Sequence, residues 1–173
     1  MNRNDEYNKI AEKVVGHVEN GTTDQAADIL KVPTSDYTSN ERWSVEMENI
    51  FQTLPLMLAL SIEMPNPGDY KSIEVTGIPI LITRDKNNNV NAFRNVCSHR
   101  GAIIAQEGIG NRSRFSCPYH GWTYSNTGDL IGVTDKSKFG NIDNKCFGLE
   151  KLQCKELAGL IFVSLSRNED VDF

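Results

Sequence analysis

The chain has 173 residues, 39% of them hydrophobic and 24% charged, which suits one domain or one domain with an appended arm and excludes a fibrous or disordered chain. Its formal net charge is -5 with acidic and basic residues interspersed, so it lacks the clustered basic stripe that nucleic-acid binding demands. The longest apolar runs, 54–60 and 157–163, fall far short of the ~20 residues that span a bilayer, so no membrane partner is expected.

The amino terminus, MNRNDEYNKI, has no apolar core of the length a secretion signal requires, and a cytoplasmic protein is expected. Ile10, Ala11, Val14, Val15 and Val18 recur at three- and four-residue spacing, the pattern of one helix face, and Asn20-Gly21 ends it. Thr23 or Asp24 then stands ready to cap a short second helix, with Ala27 to Leu30 as its apolar part and Pro33 as its end. Ser39 or Asn40 caps a stronger one, because Trp43, Met47, Ile50 and Phe51 share a face before Pro55 stops the pattern. The first third is therefore expected to be helical and to pack on something. Beyond Pro65-Asn66-Pro67-Gly68 the texture changes to short β-branched runs at 73–75, 78–83, 90–96 and 159–165, which read as antiparallel strands. Asp85 to Asn89 separate two of these runs and supply the Asn that a tight hairpin tip tolerates.

Chemistry concentrates in two short stretches. Cys97-Ser98-His99 follows one strand and Cys117-Pro118-Tyr119-His120 follows another, with seventeen residues between His99 and Cys117. Each stretch offers one soft thiolate and one imidazole. A Rieske 2Fe-2S centre places two Cys on one iron and two His on the other, and two loops of this kind meet that demand from opposite sides. Cys97, His99, Cys117 and His120 are therefore the expected cofactor and metal ligands. Imidazole is neutral where thiolate is charged, so the His-ligated iron is the easier to reduce and the histidines mark the exit side. Gly101 and Gly121, each placed after a His, let the backbone turn closely around an inorganic core, and Pro118 stiffens the second loop. Structural zinc also takes two Cys and two His, although zinc fingers pair Cys with Cys and His with His in their knuckles.

NVCSHRGA and RFSCPYHGWTY, preceded by MPNPGDY and IPILITRD, resemble the Rieske domain of aromatic-ring-hydroxylating oxygenases, in the amino-terminal part of their large (alpha) subunit. The resemblance runs over about residues 37–165. It implies a mainly β fold of stacked antiparallel sheets whose two hairpin loops grip one 2Fe-2S cluster per chain. Residues 1–36 are then an N-terminal helical extension and 37–173 the Rieske domain, with the cluster-binding part at about 91–132. The implied partners are a reductase or ferredoxin as electron donor and an oxygenase catalytic domain or subunit, with its mononuclear iron, as acceptor; His120 matches the ligand that faces the acceptor. That catalytic domain is not part of the resemblance. A facial triad needs two His and one carboxylate, and of three His in the chain the cluster takes two, leaving only His17. No catalytic residue is therefore expected, and the chain reads as an oxidoreductase component. The rivals are a free-standing Rieske ferredoxin, which needs no helical arm, and a non-catalytic metal-binding or interaction module.

Respiratory Rieske proteins are similar in ligand pattern but carry a further Cys in each loop, joined as a disulfide, where Ala102 and Tyr119 stand here. They also place a Ser near the cluster where this chain has Trp122, while Tyr124 is retained. Loss of the disulfide and one hydroxyl predicts a potential of about -150 mV, at the low end of the Rieske range. Tyr119 and Trp122 are expected to shield the cluster from water. Arg100 either guides an acidic partner or balances cluster charge, and Cys146 and Cys154, separated by seven residues, are expected to be free thiols.

Overall fold

A computed structural model describes residues 3–166 and 171–173. The chain divides into two compact units, Met1–Ser39 and Asn40–Phe173.

In the first unit, the expected apolar face lies on helix α1 (Arg3–Asn20), which begins with Asp5 and Glu6 in its first turn, where the helix dipole favours acids. Gly21, at φ 61°, ends it in the left-handed region. His17 sits in its last turn, with Nδ1 2.9 Å from Thr22 Oγ1. The helix expected across 23–33 does not form, and the one later helical turn described in this unit is α2 (Ser35–Thr38). Two causes act together. Short polar side chains satisfy the chain locally, as where Asp28 Oδ1 accepts from the Ile29 N–H at 2.7 Å. The apolar residues of the segment also find no core, Ile29 and Leu30 being 82% and 84% exposed, and so short a helix is marginal without tertiary packing.

The second unit opens with α3 (Asn40–Glu46), which continues as a π-helical turn, Met47–Phe51, as the Trp43, Met47, Ile50, Phe51 pattern predicts. Neither α3 nor the π-helical turn buries a residue, so the expected packing is not seen for these two helices. Three antiparallel sheets follow. The first, in the order β1-β11-β10, combines β1 (Leu56–Leu60), β10 (Cys154–Leu157) and β11 (Leu160–Val163). The second, β5-β2-β3-β4-β9, combines β2 (Asp69–Val75), β3 (Ile78–Arg84), β4 (Val90–Arg94), β5 (Gly108–Asn111) and β9 (Lys151–Leu152). The third, β6-β7-β8, is built from β6 (Arg114–Ser116), β7 (Thr123–Ser125) and β8 (Leu130–Gly132).

The central strands of the middle sheet, β3 and β4, are buried on both faces, and that is why β3 reads as an unbroken apolar run rather than an alternating one. Ile80 and Ile82 point into one core with Ala59, Met64, Ala92, Ile161 and Val163, while Leu81 joins Phe93, Phe115, Trp122 and Tyr124 in the other. On β4 the same alternation divides Ala92 from Phe93. The β3–β4 hairpin turns at Asp85 to Asn89 as expected. Its Asp85 carboxylate accepts from the N–H groups of Asn87 and Asn89, and Asn88 takes φ 67°. At the end of β3, buried Arg84 makes a bidentate pair with Glu156 of β10, at 2.8 and 3.0 Å, tying the first sheet to the second.

Candidate metal centre

The two chemistry-bearing stretches become two hairpin loops of one design. After β4, the Cys97 N–H donates to the Ala102 carbonyl (2.8 Å) and the Gly101 N–H to the Cys97 carbonyl (2.8 Å), and a bridge between Val96 and Ile103 closes the loop. After β6, the Cys117 N–H donates to the Trp122 carbonyl (2.7 Å) and the Gly121 N–H to the Cys117 carbonyl (3.0 Å), closed by the Ser116–Thr123 pair. Each loop therefore places Cys first and Gly fifth. Gly101 and Gly121 take φ 71° and 66°, a conformation an L side chain resists. The positions of the His differ, third in the first loop and fourth in the second.

The four side chains meet sorted by type. Buried Cys97 and Cys117 share one core, and the Cys117 side chain is among the influences that raise the Cys97 thiol. The His99 and His120 rings stand edge to face, with centroids 4.7 Å apart. Among the described residues no three of Cys, His, Asp and Glu converge where a single ion would sit. A two-iron centre asks each iron for one pair of protein ligands, and the two Cys and the two His supply one pair each. His120 Nδ1 is buried without a hydrogen-bond partner, a lone pair or N–H that the protein itself leaves unmet. The site thus has the donor set, the pairing and an unsatisfied nitrogen that fit a 2Fe-2S cluster.

The surroundings set the electrostatics. Burial pushes the Cys97 thiol up, opposed by the Tyr124 hydroxyl 3.2 Å from its sulfur. That hydroxyl also accepts from the Ser98 N–H at 3.1 Å, and burial together with the Cys97 partner keeps the phenol protonated. Burial, then the neighbouring His120 and Arg100, pulls His99 down and keeps it neutral, the form that binds metal. Of the expected shielding pair, Trp122 is 2% exposed and stacks on His99 at 5.0 Å and 11°, but Tyr119 is 64% exposed and lies tilted against the His120 ring at 4.0 Å. Its loop position explains the difference, because Tyr119 is the middle residue of the turn at 118–120. Arg100 is exposed beside His99.

Two supporting residues carry no sequence signal. Phe139, on a 3-10 turn, stands edge-on to His99, His120 and Trp122 at 5.1, 6.3 and 5.8 Å. Asn95, 1% exposed, lies two residues before Cys97 and donates to Ser72 Oγ (2.9 Å) and the Ala105 carbonyl (2.7 Å) while accepting from the Ala105 N–H (3.0 Å). The remaining cysteines stay apart from the loops: Cys146 is exposed near Asp143, and Cys154 donates to the Val90 carbonyl. No disulfide joins any of the four.

The stacked antiparallel sheets and paired Cys–His loops define an iron–sulfur protein of the Rieske class. The Rieske [2Fe-2S] domain family matches residues 55–153, and the chain belongs to that family, whose cofactor is a Rieske-type 2Fe-2S cluster and whose role is electron transfer. Toluate 1,2-dioxygenase subunit alpha of Pseudomonas putida is 36% identical over 155 residues, covering 86% of this chain and 33% of that protein. The large subunit of anthranilate 1,2-dioxygenase of Burkholderia cepacia is 35% identical over 144 residues, covering 79% and 34%. The crystal structure of naphthalene 1,2-dioxygenase from Rhodococcus sp. bound to indole superposes with a TM-score of 0.74 at 36% identity, over 81% of this chain and 32% of that one. The chain spans about a third of the length of the curated relatives it matches. Among the described residues no helix is long and apolar enough to cross a membrane.

Proposed function

We propose that the chain carries one electron at a time through a 2Fe-2S cluster held by Cys97 and Cys117 on one iron and by His99 and His120 on the other. In this reading it is the Rieske part of a ring-hydroxylating oxygenase system. It takes electrons from a reductase or ferredoxin and passes them to the mononuclear iron of an oxygenase catalytic domain or subunit. The observation that carries the proposal is the sorting of the two loops: the two Cys lie in one buried core and the two His rings stand against each other, although each loop contributes one of each.

When bound, the cluster supplies a one-electron couple. The protein's own residues do the rest. Tyr124 and the closed loop backbones hold the sulfur side in a dry, fixed frame, while the half-buried histidines face outward. Electron entry and exit need such an edge, and His120 beside exposed Tyr119 presents it. A redox titration of the iron-loaded chain tests the proposal. One electron per chain at about -150 mV is expected, and a potential above about +100 mV would place the chain with the quinol-oxidising proteins instead.

A further inference from the structure

We infer that the indole N–H of Trp122 donates a hydrogen bond to a sulfur of the cluster and so favours the cluster's reduced form, offsetting in part the hydroxyl lost at that position, an inference that rests on the ligand assignment above. Trp122 is 2% exposed, and its Nε1 is buried with no acceptor among the protein's atoms. Native structures rarely leave a buried N–H unmet. The other loop nitrogen in the same state is His120 Nδ1, two residues earlier, a proposed iron ligand. Two unmet nitrogens on one short loop point to one enclosed guest.

The identity of the acceptor follows by elimination. Because Nε1 is already covered by its own chain, no partner protein reaches it. The rings packed on the indole are His99, stacked at 5.0 Å, and Phe139 and Phe147, edge-on at 5.8 and 5.6 Å. The two phenylalanines offer no acceptor atom. An enclosed water would need two to four polar partners, and of the three rings packed on the indole only His99 carries a polar atom. Stacking at 11° holds the indole face against the imidazole of a proposed ligand, so Trp122 stands beside the cluster site. Reduction adds negative charge to the sulfurs, and a donor there strengthens as that charge grows.

The test uses the full, iron-loaded chain carrying Trp43→Phe, which leaves Trp122 as the sole tryptophan. In one sample the indole nitrogen is isotopically labelled. In another, position 122 carries 3-benzothienylalanine, which keeps the ring's shape and replaces N–H by sulfur. Pulsed electron paramagnetic resonance of the reduced labelled protein should show a weak coupling to the indole nitrogen beside those of the two imidazoles. The sulfur analogue should keep the cluster's spectrum while its equilibrium constant for reduction falls about tenfold, which is about 59 mV for one electron. Absence of the coupling, or an unchanged potential with the cluster intact, overturns the inference. If the analogue fails to fold, the coupling in the labelled protein decides alone. A chain that assembles no iron–sulfur cluster before any substitution overturns the ligand assignment itself, a result distinguishable from the other two.

Discussion

The loop 97–102 and the loop 117–122 share their backbone closure and differ in what supports them. In both, a Cys N–H reaches the carbonyl five residues on and a left-handed Gly returns its N–H to the Cys carbonyl. The first loop is then held from a distance by polar side chains: Asn95 on Ala105, Tyr124 on Ser98, and Ser98 Oγ on the Gly148 carbonyl at 2.6 Å. The second is held by close packing. Trp122 lies against His99 and Phe139, and Gly121 lies so near Thr134 that an added Cβ would meet Thr134 Oγ1 at 2.3 Å. The lesson is that a common closure places the cysteines, whereas each loop depends on different contacts and will fail in a different way.

The largest effects should ignore that difference. Cys97→Ser and Cys117→Ser each remove a ligand the closure exists to place, and both should leave iron and sulfide near background in chemical analysis of the purified chain. Retention of two irons by either variant would break the proposed pairing.

The supports should then separate the loops. Asn95→Ala leaves the buried N–H of Ala105 without its acceptor and removes two further bonds, at a cost of about 3 kcal/mol in denaturant unfolding. For the glycines, Gly121→Ala combines backbone strain with a collision and should cost about 3 kcal/mol. Gly101→Ala meets nothing within 4 Å and should cost only the left-handed backbone, about 1 kcal/mol. Equal losses at the two glycines would show that the approach of Thr134 does not matter. The smallest expected effect is at Tyr124→Phe, which keeps the ring and removes the hydroxyl from Cys97 and Ser98. The cluster should assemble, with a potential lower by on the order of 59 mV, equivalent to one hydrogen bond to a charged sulfur.

Much of this was legible in the sequence because it lives in residue type and spacing. The four side chains of the centre stand out as Cys and His at loop positions, and β2, β3, β4 and β11 carry β-branched runs long enough to read. The strands β5 to β9 do not: Gly108-Ile109-Gly110-Asn111 and three-residue β6 to β8 are too short to show a period. The failed helix across 23–33 shows the opposite error, a cap and an apolar pair that promise a helix the chain does not form. Asn95 and Phe139 were invisible because their importance comes from partners 10 or more residues away, the carbonyl of Ala105 and the ring of His99. Tyr119 and Trp122 look alike as aromatic neighbours of a ligand, and only the turn geometry of the loop buries one and exposes the other.

The most direct test of the central claim is electron paramagnetic resonance of the dithionite-reduced chain, with iron and zinc counted on the same sample. Two irons per chain and the low-average-g signal of a mixed Cys/His cluster are predicted. Stoichiometric zinc, no signal from anaerobic protein and failure of reconstitution with iron and sulfide would contradict it.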